Sequence, residues 1–227
     1  MKKINLTLQA LAVLSLFVAA ASSQDHCGVS CPVCTGDLKT IHSDSGKYTG
    51  IVPNESFSWF TIYVPESHGE EEEKGSTSFT LGLFDRFEAG LTLGLDSWDL
   101  RGRGKVLLLQ EKKIIPGLIV GIGNIRPSGI ETNGYLMLTK GAVWSSLPLH
   151  GYFGVAKKFE KNEVEEFFGL SIGFVPKIGA MAGYDGQEFH VGVAIQPIGR
   201  LNAGVMLLDG KEFSLFTGIS GQIPFFN

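Results

Sequence analysis

The stretch FHVGVAIQPIGRLNAGVMLLDGKEFSLFTGISGQI, residues 189–223, decides the fold. Phe189, Val191, Val193 and Ile195 alternate with His190, Gly192, Ala194 and Gln196. After a break, Leu201, Ala203, Val205 and Leu207 alternate with Asn202, Gly204 and Met206. Beyond Asp209-Gly210-Lys211, Phe213, Leu215, Thr217, Ile219, Gly221 and Ile223 alternate with Ser214, Phe216, Gly218, Ser220 and Gln222. A two-residue period is that of a β-strand whose faces meet different surroundings. An Asp-Gly dipeptide between two such runs is a hairpin signal.

The pattern extends upstream. Phe87, Ala89, Leu91, Leu93 and Leu95 oppose Glu88, Gly90, Thr92 and Gly94, and Phe168, Leu170, Ile172 and Phe174 oppose Gly169, Ser171 and Gly173. About twelve strands are expected, at 57–64, 77–84, 86–95, 98–109, 115–124, 133–143, 149–158, 165–175, 177–184, 187–196, 200–208 and 212–223. The count is bounded at 10–12, and the inward face of 133–143 stays open. Asp85-Arg86, Pro176-Lys177 and Asp185-Gly186 mark further short turns. No amphipathic helix of twelve residues or more is evident.

A secreted β-sandwich would carry a polar outer face. Here the less apolar face is mostly Gly, Ser and Ala, while the opposite face is bulky on nearly every strand. An all-β antiparallel transmembrane barrel accounts for both, with bulky residues toward lipid and small or polar ones toward the lumen. Closure also satisfies every backbone group in a medium without water. Phe57, Tyr63, Phe79, Phe87, Trp98, Phe174, Phe189, Phe213 and Phe225 sit near strand ends, as interfacial girdles require. Phe225 holds the lipid-facing register, although Asn227 is last.

Composition agrees. Thirty of the 227 residues are glycine, without a collagen period, and charged residues are 19%, below the roughly 25% of soluble domains. The formal net charge of −4 argues against a nucleic-acid partner, which needs a basic face. Lys2 and Lys3, the apolar run to Ala20 and the small residues Ala21, Ser22 and Ser23 read as a cleaved signal peptide over 1–23. Residues 24–56 follow as a periplasmic segment and 57–227 as the barrel. Bacterial outer membrane is the expected location, with outer-membrane lipid as its surroundings. The longer connections, 65–76, 125–132 and 159–164, would face outward, and Glu70 to Glu73 would be a solvated acidic run.

Cys27, Cys31 and Cys34 lie together in C-x3-C-x2-C spacing. Radical-enzyme clusters use that spacing inside cells, but this triplet follows an export signal. One disulfide plus an odd thiol is the plainer reading. A metal site completed by His26 or His42 is a weak alternative. Gln24, Asp25 and His26 before Cys27 exclude a lipid-modified cysteine.

One strand breaks the small-polar rule. In the segment 98–106, Asp99, Arg101, Arg103 and Lys105 share one face, Glu88 stands on the same side of the preceding strand, and Arg86 lies at its turn. If that side is the lumen, cations and carboxylates line one wall. Such a ladder would guide an anionic solute or a sugar polymer, or pair across strands to fill the barrel. His150 and His190 occur without a Gly-x-Ser-x-Gly elbow, so the chain is not expected to be an enzyme, and no cofactor is expected.

The segments 82–91, 104–111 and 115–123, with 135–140, 149–154 and 182–193, resemble the YjbH-like outer-membrane barrel family over roughly residues 77–223. That resemblance implies an association with exopolysaccharide production and export. It also matches Arg86, Glu88, Lys105 and Lys140 to recurrent charged positions. The expected function is therefore an outer-membrane barrel that passes or accommodates an anionic or saccharide molecule. The alternatives are a non-conducting structural barrel, with a polysaccharide or envelope-assembly partner, and a soluble sandwich binding module.

Overall fold

The computed structural model describes residues 56–65, 75–84, 86–95, 97–126, 132–145, 147–175, 177–186, 189–198 and 201–222. The expected signal peptide, the three cysteines, the acidic run Glu70 to Glu73 and Phe225 lie outside them. The elements are β1 (Ser56–Tyr63), β2 (Gly75–Leu83), β3 (Phe87–Gly94), β4 (Leu100–Leu109), β5 (Gly117–Ile125), β6 (Asn133–Trp144), β7 (Leu147–Lys158), β8 (Glu163–Val175), β9 (Ile178–Tyr184), β10 (Phe189–Ile198), β11 (Leu201–Leu208) and β12 (Glu212–Gln222). Each expected strand overlaps one of these, with ends within two residues.

Every strand pairs antiparallel with its neighbours in sequence, and β1 closes on β12. Closure removes the exposed edges that a sandwich would keep, so the sandwich alternative is ruled out. The end where β1 starts is called the near end; connections after even-numbered strands lie there, and those after odd-numbered strands lie at the far end.

Turn chemistry sets the hairpins. Asp209 and Gly210 both take positive φ, 48° and 65°, and Lys211 N–H donates to the Leu208 carbonyl at 3.0 Å. Two successive left-handed residues twist with the strands they join, which is why Asp-Gly serves here.

The alternation sorts side chains as expected on the outside. Phe79, Phe87, Leu91, Val193, Leu215 and Ile219 are exposed, as are most large apolar residues of the same parity. A closed barrel wrapped in that much apolar surface belongs in lipid.

The inward face departs from expectation. It is not merely small and polar: Phe60, Tyr135, Tyr152, Phe167, Met206 and Phe216 all point in and are buried. The open question over 133–143 resolves with Tyr135, Met137 and Thr139 inward and Leu136 and Leu138 outward. Glycines make this possible. Tyr135 stands directly opposite Gly121, Tyr152 opposite Gly169, Phe167 opposite Gly154 and Phe216 opposite Gly204. In each pair the ring occupies the space that a glycine side chain would fill. The rings therefore lie against the neighbouring strand. Phe167 also packs edge-on to Tyr135, with ring centroids 6.0 Å apart, an arrangement aromatic pairs favour.

Candidate functional site

The charged residues expected from sequence gather on β2, β3 and β4. The register places Glu88 opposite Lys105, Gly90 opposite Arg103 and Thr92 opposite Arg101. All of these face inward, because their strand neighbours Ala89, Leu91 and Leu100 face out.

Three tiers result. Deepest toward the near end, Lys105 Nζ lies 3.0 Å from Glu88 Oε2, with side chains only 5% and 2% exposed. Two charges this far from water need each other; removing one partner alone costs about 3–5 kcal/mol. In the middle, an Arg103 Nη donates to the Thr80 hydroxyl on β2. Gly90, between them, makes room: a Cβ there would fall 2.9 Å from Arg103 Nε and 2.8 Å from the Phe79 carbonyl oxygen. Arg103 has no carboxylate in ion-pair range among the described residues, and its buried Nε finds no acceptor among them. At the far end, Asp99 Oδ2 is shared by Arg101 Nε at 2.8 Å and Arg126 Nε at 3.0 Å.

Two expected positions fall elsewhere. Arg86 is exposed in the β2–β3 turn, because hairpin geometry carries it past the end of the strand. Lys140 has the parity of the outward-facing Leu136 and Leu138, and bends to Glu111 at 3.2 Å and to the Lys112 carbonyl at 2.5 Å. Neither lines the lumen.

Sequence reading did not single out Glu111, Thr80, Gly90, Arg126 or Asp185. Glu111 comes from the 110–116 connection yet is buried, and both of its oxygens accept from the Gly141 N–H, at 2.9 and 3.1 Å. β5 begins at Gly117, opposite Thr139, so the edge of β6 beyond Thr139 lacks a strand there. The carboxylate supplies the missing acceptor. The irregular length of this connection was the available signal. At the far end, His190 Nε2 lies 3.0 Å from Asp185 Oδ2, and Lys158 lies 3.0 Å from Glu165. No group of three or more metal-ligating side chains occurs among the described residues.

No family model and no curated protein matches the chain. Solved structures do. A KdgM porin in complex with disordered oligogalacturonate superposes with a TM-score of 0.50 at 10% identity, covering 73% of this chain and 97% of that one. A second KdgM porin structure gives 0.48 at 8% identity, with the same coverage. An outer membrane channel from Pseudomonas putida F1 gives 0.39 at 10%, covering 79% of this chain and 98% of that one.

The chain is a bacterial outer-membrane β-barrel. At these identities the likeness is one of fold, and it agrees with the closed strand order and the apolar exterior.

Proposed function

We propose that the barrel accommodates an anionic molecule of the saccharide class along the β2–β4 wall, in the setting of exopolysaccharide or envelope biogenesis. The observation that carries this reading is the middle tier. Glu88 and Lys105 neutralise one another, and Asp99 serves two arginines, whereas Arg103 is half-buried, with its Nε shielded from water and no carboxylate within ion-pair distance among the described residues. A guanidinium with its Nε shielded and unmatched by an anion is poorly satisfied, and a ligand carboxylate or phosphate would meet its fork with two hydrogen bonds. Oligogalacturonate, held by the KdgM porin of similar fold, is a saccharide of that charge. The exopolysaccharide setting comes from the YjbH-like resemblance.

The test is reversal potential and single-channel conductance in planar bilayers under a KCl gradient, with an acidic oligosaccharide as blocker. Anion selectivity and block that fall in the Arg103→Ala variant support the reading. Conductance and selectivity unchanged after replacing Arg101, Arg103 and Lys105 together by alanine overturn it.

The non-conducting reading is favoured by a different observation. Phe167, Met137, Met206 and Ile119 are at most 1% exposed on the inner face. Folded protein that inserts but gives no conductance steps, and that purifies with an envelope partner, would support that alternative.

A further inference from the structure

The exterior of the barrel carries a notch in its lipid-facing belt. Its floor is Ala89 and Gly104, directly opposite each other on β3 and β4. Phe87, Val106, Val120 and Ile122 form its walls, and Leu83 and Phe84 close it at the near end. It is an open recess offering about 600 Å³ beside the wall. Phe84 holds φ at 54° and is 77% exposed, so the β2–β3 turn displays a bulky ring at the notch instead of tucking it away. Other small residues face outward, Gly102, Gly151 and Ala182 among them, but each stands opposite larger residues on both neighbouring strands, whereas Ala89 and Gly104 stand opposite one another and leave a recess.

Cations rim the same end. Arg86 is exposed in the turn that supplies Phe84 and Phe87, and its carbonyl accepts from the Leu107 N–H at 2.7 Å, which ties that turn to β4. Past the end of β4, Lys112 and Lys113 are exposed, followed by Ile114, 86% exposed, and Ile115. Basic residues beside outward apolar ones are the composition of a membrane interface, where ammonium and guanidinium groups meet phosphates and apolar side chains meet acyl chains.

We propose that this notch binds an anionic glycerophospholipid, with one acyl chain lying over Ala89 and Gly104 and its phosphate held by Arg86 with Lys112 and Lys113. The recess is almost wholly apolar, and exposed cations lie at the same end of the barrel, Arg86 in the adjoining turn and Lys112 and Lys113 past the end of β4, which favours an amphiphile with a negative head over a neutral one. The headgroup lies at the near end, so the lipid belongs to the leaflet on that side.

The test uses the full-length protein purified in mild detergent, incubated with phosphatidylglycerol or phosphatidylethanolamine and read by native mass spectrometry. The expected result is phosphatidylglycerol retained at one copy per barrel, in preference to phosphatidylethanolamine. Gly104→Leu should abolish retention of both lipids. A Cβ at Gly104 meets only the Glu88 carbonyl oxygen, at 3.6 Å, so the substitution adds bulk to the notch without disturbing the wall. Ala89→Leu is the second filling variant, and the heat-dependent gel mobility of each reports folding. Replacing Arg86, Lys112 and Lys113 by glutamine should weaken phosphatidylglycerol about fivefold per cation while leaving phosphatidylethanolamine unchanged. Equal retention of both lipids, or retention that both filling variants leave intact, overturns the proposal. So does a dimer that Gly104→Leu dissolves, which would assign the notch to a second copy.

Discussion

The Tyr135 ring lies over Gly121, its direct partner across β5 and β6, and takes up the space where a side chain on residue 121 would stand. The phenol is thereby laid along the wall instead of across the lumen. The same relation joins Tyr152 to Gly169 and Phe216 to Gly204. Close approach of a ring thus explains glycine at residues 121, 154, 169 and 204.

Gly121→Ala should therefore destabilise the barrel by about 1–3 kcal/mol, the usual cost of overpacking. Gly104→Ala, whose Cβ meets nothing closer than 3.6 Å, should be nearly neutral. Urea unfolding in lipid vesicles measures both. In the Tyr135→Ala background the Gly121→Ala cost should largely vanish, because the ring it collides with is gone.

Breaking the buried Glu88–Lys105 pair should be worse on one side than on both. Glu88→Gln or Lys105→Met alone should cost about 3–5 kcal/mol, since each leaves an uncompensated charge. The double variant should recover a substantial part of that loss in the same unfolding experiment. Additive losses would show that the two side chains are not coupled.

Glu111→Ala should expose the β6 edge at Gly141. Its two hydrogen bonds from that N–H are the only cap seen there among the described residues, and an unsatisfied buried group costs about 1–3 kcal/mol. Hydrogen exchange at the Gly141 amide should accelerate, while exchange at amides in the middle of β6 stays slow.

Gly90→Ala should act on function through Arg103. The added methyl would stand 2.9 Å from Arg103 Nε and push the guanidinium off its seat. In bilayers the variant should lose anion selectivity in the same direction as Arg103→Ala, and by less. Selectivity that is unaffected would mean that Arg103 does not set it.

Much of this architecture was legible along the chain. Alternation at Phe189 to Ile195, and the Asp209-Gly210 turn, are local signals, and they placed all twelve strands. The outward parity of Leu91, Val193 and Ile219 followed from the same period. The charged face of β4 was visible because Arg101, Arg103 and Lys105 stand two residues apart. The inward aromatics were only partly visible: alternation set Phe216 on the small-residue face and Phe168 on the bulky one, but whether the wall has room for an inward ring is not a local property. At Phe167 that room is left by Gly154, thirteen positions away and opposite it only after pairing.

The same division separates the candidate-site residues. Arg86 and Lys140 carry charge as Arg103 does, yet lie outside the lumen, because one falls on a turn and the other has outward parity. Alternation and turn chemistry depend on neighbours within a few positions, so strand and turn positions and most of the lipid-facing stripe were determined by the sequence alone, while the count, bounded at 10–12, and the faces of 133–143 were fixed by closure and pairing. Which ring meets which glycine, which cation finds a carboxylate and where the belt is left hollow were decided by tertiary structure. These depend on cross-strand register in the closed barrel, which brings together groups that no local period relates.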